Sequence, residues 1–145
     1  MILPVRGFRP QLGDNCFVAP NATLVGDLMT GDDCTFWFNA VVRGDVHSIR
    51  LGDRVNVQDG AVIHCTYQRA PTHVGSRVSI AHNAVVHGCT VEDDVLIGMG
   101  AIVMDHAHIG RGSVIAAGAV VTARTQVPPG SVFAGTPARR VRDVD

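Results

Sequence analysis

Neither sign of charge is in excess in this chain: 12 Lys and Arg against 13 Asp and Glu leave a formal net charge of −1, with a pI near 6.6. A basic field that would draw nucleic acid or an anionic membrane is therefore excluded. Long apolar runs are also missing. Gly, Asp and Arg break each stretch within a few residues, far short of the ~20 that a membrane-spanning helix needs. The opening MILPVRGFRP meets Pro and Arg at once and has no signal-peptide apolar core, which points to a cytoplasmic protein. Four cysteines occur without a Cys-x-x-Cys pair, so neither a redox dithiol nor a cysteine zinc site is suggested. Asn-Gly is absent and Asp59-Gly60 is the only Asp-Gly, which argues against the repeated hairpins of an ordinary β-sandwich. The 145 residues are read as a single domain, 1–145, long enough for a continuous core.

What is present is a six-residue beat. It reads Leu12, Val18, Leu24, Thr30, Phe36, Val42, resumes at Leu51, Val57, Ile63, and again at Val74, Ile80, Val86. It then runs Val91, Ile97, Val103, Ile109, Ile115, Val121. Of these 18 positions 17 are Val, Ile, Leu or Phe, types that supply only 42 of the 145 residues, so the beat is not chance. The fifth residue of many hexads is small, as at Ala22, Ala40, Ala61, Ala84, Ala101 and Ala119, and Cys16 and Cys34 fall in the same slot as buried thiols. Gly, Asp and Asn crowd the corners between. A period of six with a β-branched and glycine load opposes helix and marks a parallel β-helix. Three hexads per turn give a triangular prism of about six coils, with faces A, B and C counted from Leu12. Two surplus segments, three residues between Val42 and Leu51 and five between Ile63 and Val74, leave at a corner of face C. After Thr125 the beat is expected to dissolve into Val127-Pro-Pro-Gly130, a short C-terminal capping segment over the last coil.

The register decides which histidines can meet. His64 and His87 each follow a face-C beat residue, one coil apart, so both point outward about 4.8 Å from one another. Two imidazoles so spaced can share one metal ion. His82 lies on face B and points away. A neighbouring chain could supply it if its face B packs on this face C, and three such contacts close a homotrimer with a subunit-bridging site. Three histidines with an open position form a catalytic arrangement, and zinc, iron or cobalt would suit it. The alternative is plain polar surface, which is how His47, His73, His106 and His108 are read. Arg43 lies one coil below His64, with Asp45 two residues on. The pair, with Asp59, could lock a subunit interface through charge-assisted hydrogen bonds, or its guanidinium could hold bicarbonate or another small anion beside the metal. Gln58, one coil below His82, could hydrogen-bond the reacting water.

Together these residues resemble the gamma-class carbonic anhydrase family. The motifs that carry the likeness are Asn39-Ala-Val-Val-Arg-Gly-Asp45, Asn56-Val-Gln-Asp-Gly-Ala-Val-Ile-His64 and Ile80-Ala-His-Asn-Ala-Val-Val-His87. The resemblance implies a left-handed all-β helix, a homotrimer, and reversible hydration of CO2 to bicarbonate by a carbonate dehydratase (a lyase). It matches His64, His82 and His87 to the metal ligands and Arg43 and Asp45 to the family's arginine–aspartate pair. Asp59 becomes a neighbour in that network, and Gln58 the glutamine near the water. Two departures stand out: residues 65–73 contain no Asp or Glu, and no long terminal helix follows. Without the acidic loop, proton release should be slow. Two rival readings use the same scaffold. One is a hexapeptide acyltransferase taking a CoA thioester; the other is a metal-binding assembly subunit with little or no turnover.

Overall fold

Strands of two or three residues cannot hold themselves together, and this fold is built almost wholly from them. The computed structural model, which describes residues 1–145, contains nineteen strands and no helix. Each strand gains its partners one turn away in the chain: Val62–His64 pairs in parallel with Val85–His87, and Leu96–Ile97 pairs with Ser79–Ile80 on one side and Val114–Ile115 on the other. The result is a left-handed parallel β-helix of about seven turns. Face B forms an eight-stranded sheet. Faces A and C join into an eleven-stranded one, because Thr23–Thr30 and Val41–Leu51 run round the corner without a break.

The beat residues point inward. Leu24, Phe36, Val42, Ile63, Ile80, Ile97 and Ile115 are completely buried, and so are Ala22, Cys34, Ala40, Ala61, Ala84 and Ala119 in the small slot. A bulky residue on each face and small ones beside the corners fill the triangular section with one continuous apolar core. All four cysteines are free, and three of them are buried.

The expected six coils are corrected to about seven. One corner carries a residue in the left-handed region once per turn, at Asn15, Asp33, Arg54, Arg77, Asp94, Gly112 and Gly130, with φ between 55° and 70°. The beat does not dissolve after Thr125. Val127 pairs with Ile109 and Phe133 with Ile115, both buried, so the hexads continue through Pro128 and Pro129. Those prolines fall between strands, where no ladder N–H is needed. Capping comes one turn later, where Arg139–Asp143 folds back antiparallel on Ser131–Ala134. Its five residues are exposed and three are arginines, a charged edge that discourages further strand pairing. At the other end Ile2–Leu3 pairs with Leu24–Val25 and covers the first turn.

Both surplus segments are where the spacing put them. Opposite Gly26 and Leu28, which enclose one residue, Gly44 and Ile49 enclose four, so three residues bulge at Asp45–Ser48. The second is a small loop closed by a bridge between Thr66 and Ala70. One turn above it the same corner is made by Gly88 alone.

Candidate metal centre

The parallel register sets His64 directly opposite His87. Their rings meet edge to face with centroids 5.1 Å apart, and His64 Nδ1 lies 3.1 Å from His87 Nε2. Each ring has a carboxylate at its other nitrogen. His64 Nε2 donates to Asp45 Oδ1 at 2.9 Å, and His87 Nδ1 donates to Asp105 Oδ1 at 2.7 Å. In a neutral imidazole the nitrogen that does not donate carries a lone pair. The two nitrogens facing each other are therefore both acceptors. Such a contact repels unless a cation or a proton stands between them. Two nitrogens bound at about 2.1 Å to one tetrahedral ion lie about 3.4 Å apart, close to the separation seen. The residues present fit a metal ion.

Asp45 also accepts from Arg43 Nη1 at 2.5 Å. Partial burial pushes the Asp45 carboxyl up, but hydrogen bonds from His64 and Arg43 outweigh it and hold it below the usual carboxylate range. The same contest runs at Asp105, where the hydrogen bonds from Thr66 and His87 prevail over desolvation. Thr66 Oγ1 donates to Asp105 Oδ2 at 2.5 Å, tying the 66–70 loop to the site. Asp105 can approach only because Gly88 stands beneath it: a Cβ there would lie 2.3 Å from Asp105 Oδ1. Beneath the loop, the buried Thr72 hydroxyl donates to His64 O at 2.6 Å and accepts from Gly88 N at 2.8 Å, stapling the two histidine strands together. Sequence reasoning missed Asp105 and Thr66. The available signal was that Asp105 lies 17 residues after Gly88, the same one-turn offset that pairs Val86 with Val103.

His82 stands apart on face B. Its Nδ1 lies 3.1 Å from Asp59 Oδ2, and it shares a shallow hollow with Trp37, Asn56 and Gln58. Asn56 is held by Trp37 Nε1 at 2.8 Å and Thr35 Oγ1 at 2.9 Å. All three histidines thus carry a carboxylate at one ring nitrogen, the arrangement that orients metal-ligating histidines. The expected residues fall into two sets, Arg43, Asp45, His64 and His87 on face C, and Gln58, Asp59 and His82 on face B. Within one protomer no three His, Cys, Asp or Glu side chains converge to hold an ion.

The Bacterial transferase hexapeptide (six repeats) family model matches residues 88–123. Carbonic anhydrase of Geobacillus kaustophilus is 38% identical, the match covering 99% of this chain and 79% of that protein. The chain belongs to the gamma-class carbonic anhydrase family. Gamma carbonic anhydrase 2, mitochondrial, of Arabidopsis thaliana is 38% identical over 92% of this chain, which spans only 50% of that longer protein. Among solved structures, a hexapeptide transferase family protein from Anaplasma phagocytophilum superposes with a TM-score of 0.94 at 35% identity, covering 100% of this chain and 85% of that one.

Within this gamma-class site Cys65 follows His64 in sequence but turns inward. It is buried and donates to His47 O at 3.3 Å. Burial pushes its thiol up, which disfavours the thiolate that metals bind. Beside His87 is an apolar hollow of about 460 Å³, walled by Val85, Ile102, Met104 and Ala123.

Proposed function

We propose that this chain is a metal-dependent gamma-type carbonic anhydrase catalysing CO2 + H2O ⇌ HCO3⁻ + H⁺ at a three-histidine site completed across the interfaces of a homotrimer. The observation that carries the reading is the 3.1 Å approach of His64 Nδ1 to His87 Nε2, each ring backed by its own carboxylate. His82 supplies the third ligand from the neighbouring subunit, with Asp59 behind it. When bound, the ion, zinc or else iron or cobalt, supplies Lewis-acid activation of water.

The protein's own groups do the rest. Asp45 and Asp105 hold the His64 and His87 rings in one orientation by hydrogen bonds, and Asp59 stands 3.1 Å from His82 Nδ1. The apolar wall of Val85, Ile102 and Met104 takes uncharged CO2 and gives bicarbonate nothing to hydrogen-bond. Gln58, brought beside His82 by the neighbour, orients the water. The half-exposed Arg43 guanidinium, steadied by Asp45, receives bicarbonate as charge develops on its oxygens. The proton leaves to solvent without help from an acidic loop, which makes its release the slow step.

An acyltransferase reading draws support from the likeness to the hexapeptide transferase family protein of Anaplasma phagocytophilum. It gives no reason for two histidine lone pairs to face each other. Metal analysis of anaerobically purified protein, followed by a CO2-hydration assay of each metal form and a CoA-binding titration, separates the two. Stoichiometric metal with hydration activity supports the proposal; CoA affinity in a metal-free, inactive protein overturns it. A metal-loaded protein without turnover would instead mark the assembly subunit.

A further inference from the structure

At the corner where the Asp45–Ser48 bulge leaves face C, the N-terminal turn, the bulge and the tip of the 66–70 loop border a second, open hollow of about 460 Å³. That is within the range of about 300–1,000 Å³ usual for small-molecule sites. It is rich in donors and poor in acceptors. Arg6, on a tight turn in which it and Gly7 both have positive φ, donates Nε to Asp45 O at 2.7 Å. Its four Nη hydrogens meet no carboxylate. His47 Nδ1 accepts from Ser48 N at 2.8 Å, which puts the ring hydrogen on Nε2, where nothing in the protein receives it. Tyr67 Oη accepts from Gln68 at 3.0 Å, leaving its own hydrogen free. The one carboxylate in the lining, Asp27, is engaged by Arg50 at 2.8 Å.

We propose that this corner hollow binds a phosphate monoester of a small organic molecule. A carboxylate holds its two oxygens in one plane, whereas these donors come from three separate segments of the chain and suit a tetrahedral array of oxygens. Arg6 can turn one edge, two Nη hydrogens, to a single ligand, so with His47 and Tyr67 about four hydrogens are presented, within what the three terminal oxygens of a phosphate monoester accept. Phe8, Val46 and the half-exposed ring of Tyr67 form an apolar wall for the organic portion, and the Arg6 guanidinium sits 5.7 Å over the Phe8 ring centroid. The lining of the hollow includes none of Arg43, Gln58, Asp59, His64, His82 or His87. It does not depend on the metal reading.

Phenyl phosphate and inorganic phosphate are the probes, titrated calorimetrically into the full chain with and without metal. Phenyl phosphate is expected to bind once per chain, more tightly than inorganic phosphate, and to shift the His47 ring resonances in nitrogen-correlated NMR. Arg6→Gln should weaken binding roughly tenfold to hundredfold, the range for hydrogen bonds to a charged group. His47→Leu tests the same hollow from the bulge should the N-terminal turn tolerate Arg6→Gln poorly. Arg43→Gln should leave binding unchanged. No saturable binding, full affinity in both Arg6→Gln and His47→Leu, or loss confined to Arg43→Gln would each overturn the proposal.

Discussion

His64 Nδ1 and His87 Nε2 face each other at 3.1 Å, and the other nitrogen of each ring meets a carboxylate behind it. Two polar groups in adjacent coils of a β-helix are forced to the strand spacing whether or not they attract. The fold therefore imposes the proximity, and the carboxylates decide what it means. Without Asp45 and Asp105 the rings could choose tautomers that hydrogen-bond one another. With them, the pair is prepared for a cation.

Asp105→Asn tests this directly. The amide keeps the size of the side chain but removes the charge that fixes the His87 tautomer, so metal affinity should fall about 10–100-fold, as for other partners of ligating histidines. Competition with a chromogenic chelator measures it without relying on turnover. Unchanged affinity would leave Asp105 a structural anchor of the 66–70 loop only.

Arg43 should behave differently from the histidines and their carboxylates. Arg43→Ala is expected to retain metal while weakening bicarbonate inhibition and turnover. Its guanidinium is about half exposed, so little stability should be lost. Arg43→Lys separates charge from shape: if it matched the parent in both assembly and activity, planar bidentate recognition would not be the role of this residue.

Much of this was legible in the sequence because a solenoid makes spacing and proximity nearly the same thing. Offsets of one turn, adjusted by the two surplus segments, were enough to stack His64 on His87 and to send His82 to another face. Partners reached through side-chain angle were not legible. Asp105 sits above Gly88 rather than opposite a histidine in the ladder, and Thr66 arrives from an irregular loop. The seventh turn was hidden by composition: Val127 and Phe133 keep the beat, but the prolines and glycine between them look like a terminus. A corner tolerates what a strand does not.

Acid should destabilise the fold in a definable window. Asp45, Asp94, Asp105 and Glu92 all titrate below their ordinary values of 3.8 for Asp and 4.5 for Glu. For Glu92 the largest cause is the hydrogen bond from His108. A depressed folded value means the unfolded chain takes up protons first. The contribution is complete above the unfolded values and is lost as pH falls through the folded ones. The thermal midpoint should be level above about pH 5 and decline below it. Glu92→Gln should shallow that decline; a midpoint insensitive to acid would refute the assignment.

In solution, sedimentation is expected to give three copies of the 15.3 kDa chain. A monomer that nevertheless held metal tightly would be incompatible with a site shared between faces B and C.

The sharpest distinction concerns His82, because a shared site and a single-chain site assign it opposite behaviour. His82→Ala and His64→Ala chains would each be defective, but for different halves of the same centre. In a mixed trimer, an intact His82 on one chain can face an intact His64/His87 pair on the next, so some interfaces regain all three ligands. Loss of one ligand in three should greatly weaken binding, so restored interfaces should stand out against an almost metal-free background. If all three ligands came from one chain, every centre in the mixture would still lack one, whatever the arrangement of subunits. The two variants are refolded together, chain exchange is verified by native mass spectrometry, and metal is counted per trimer alongside CO2 hydration. Recovery of both identifies the subunit boundary as the site. Proven exchange with no recovery of metal would show that His82 is not a ligand lent by a neighbour.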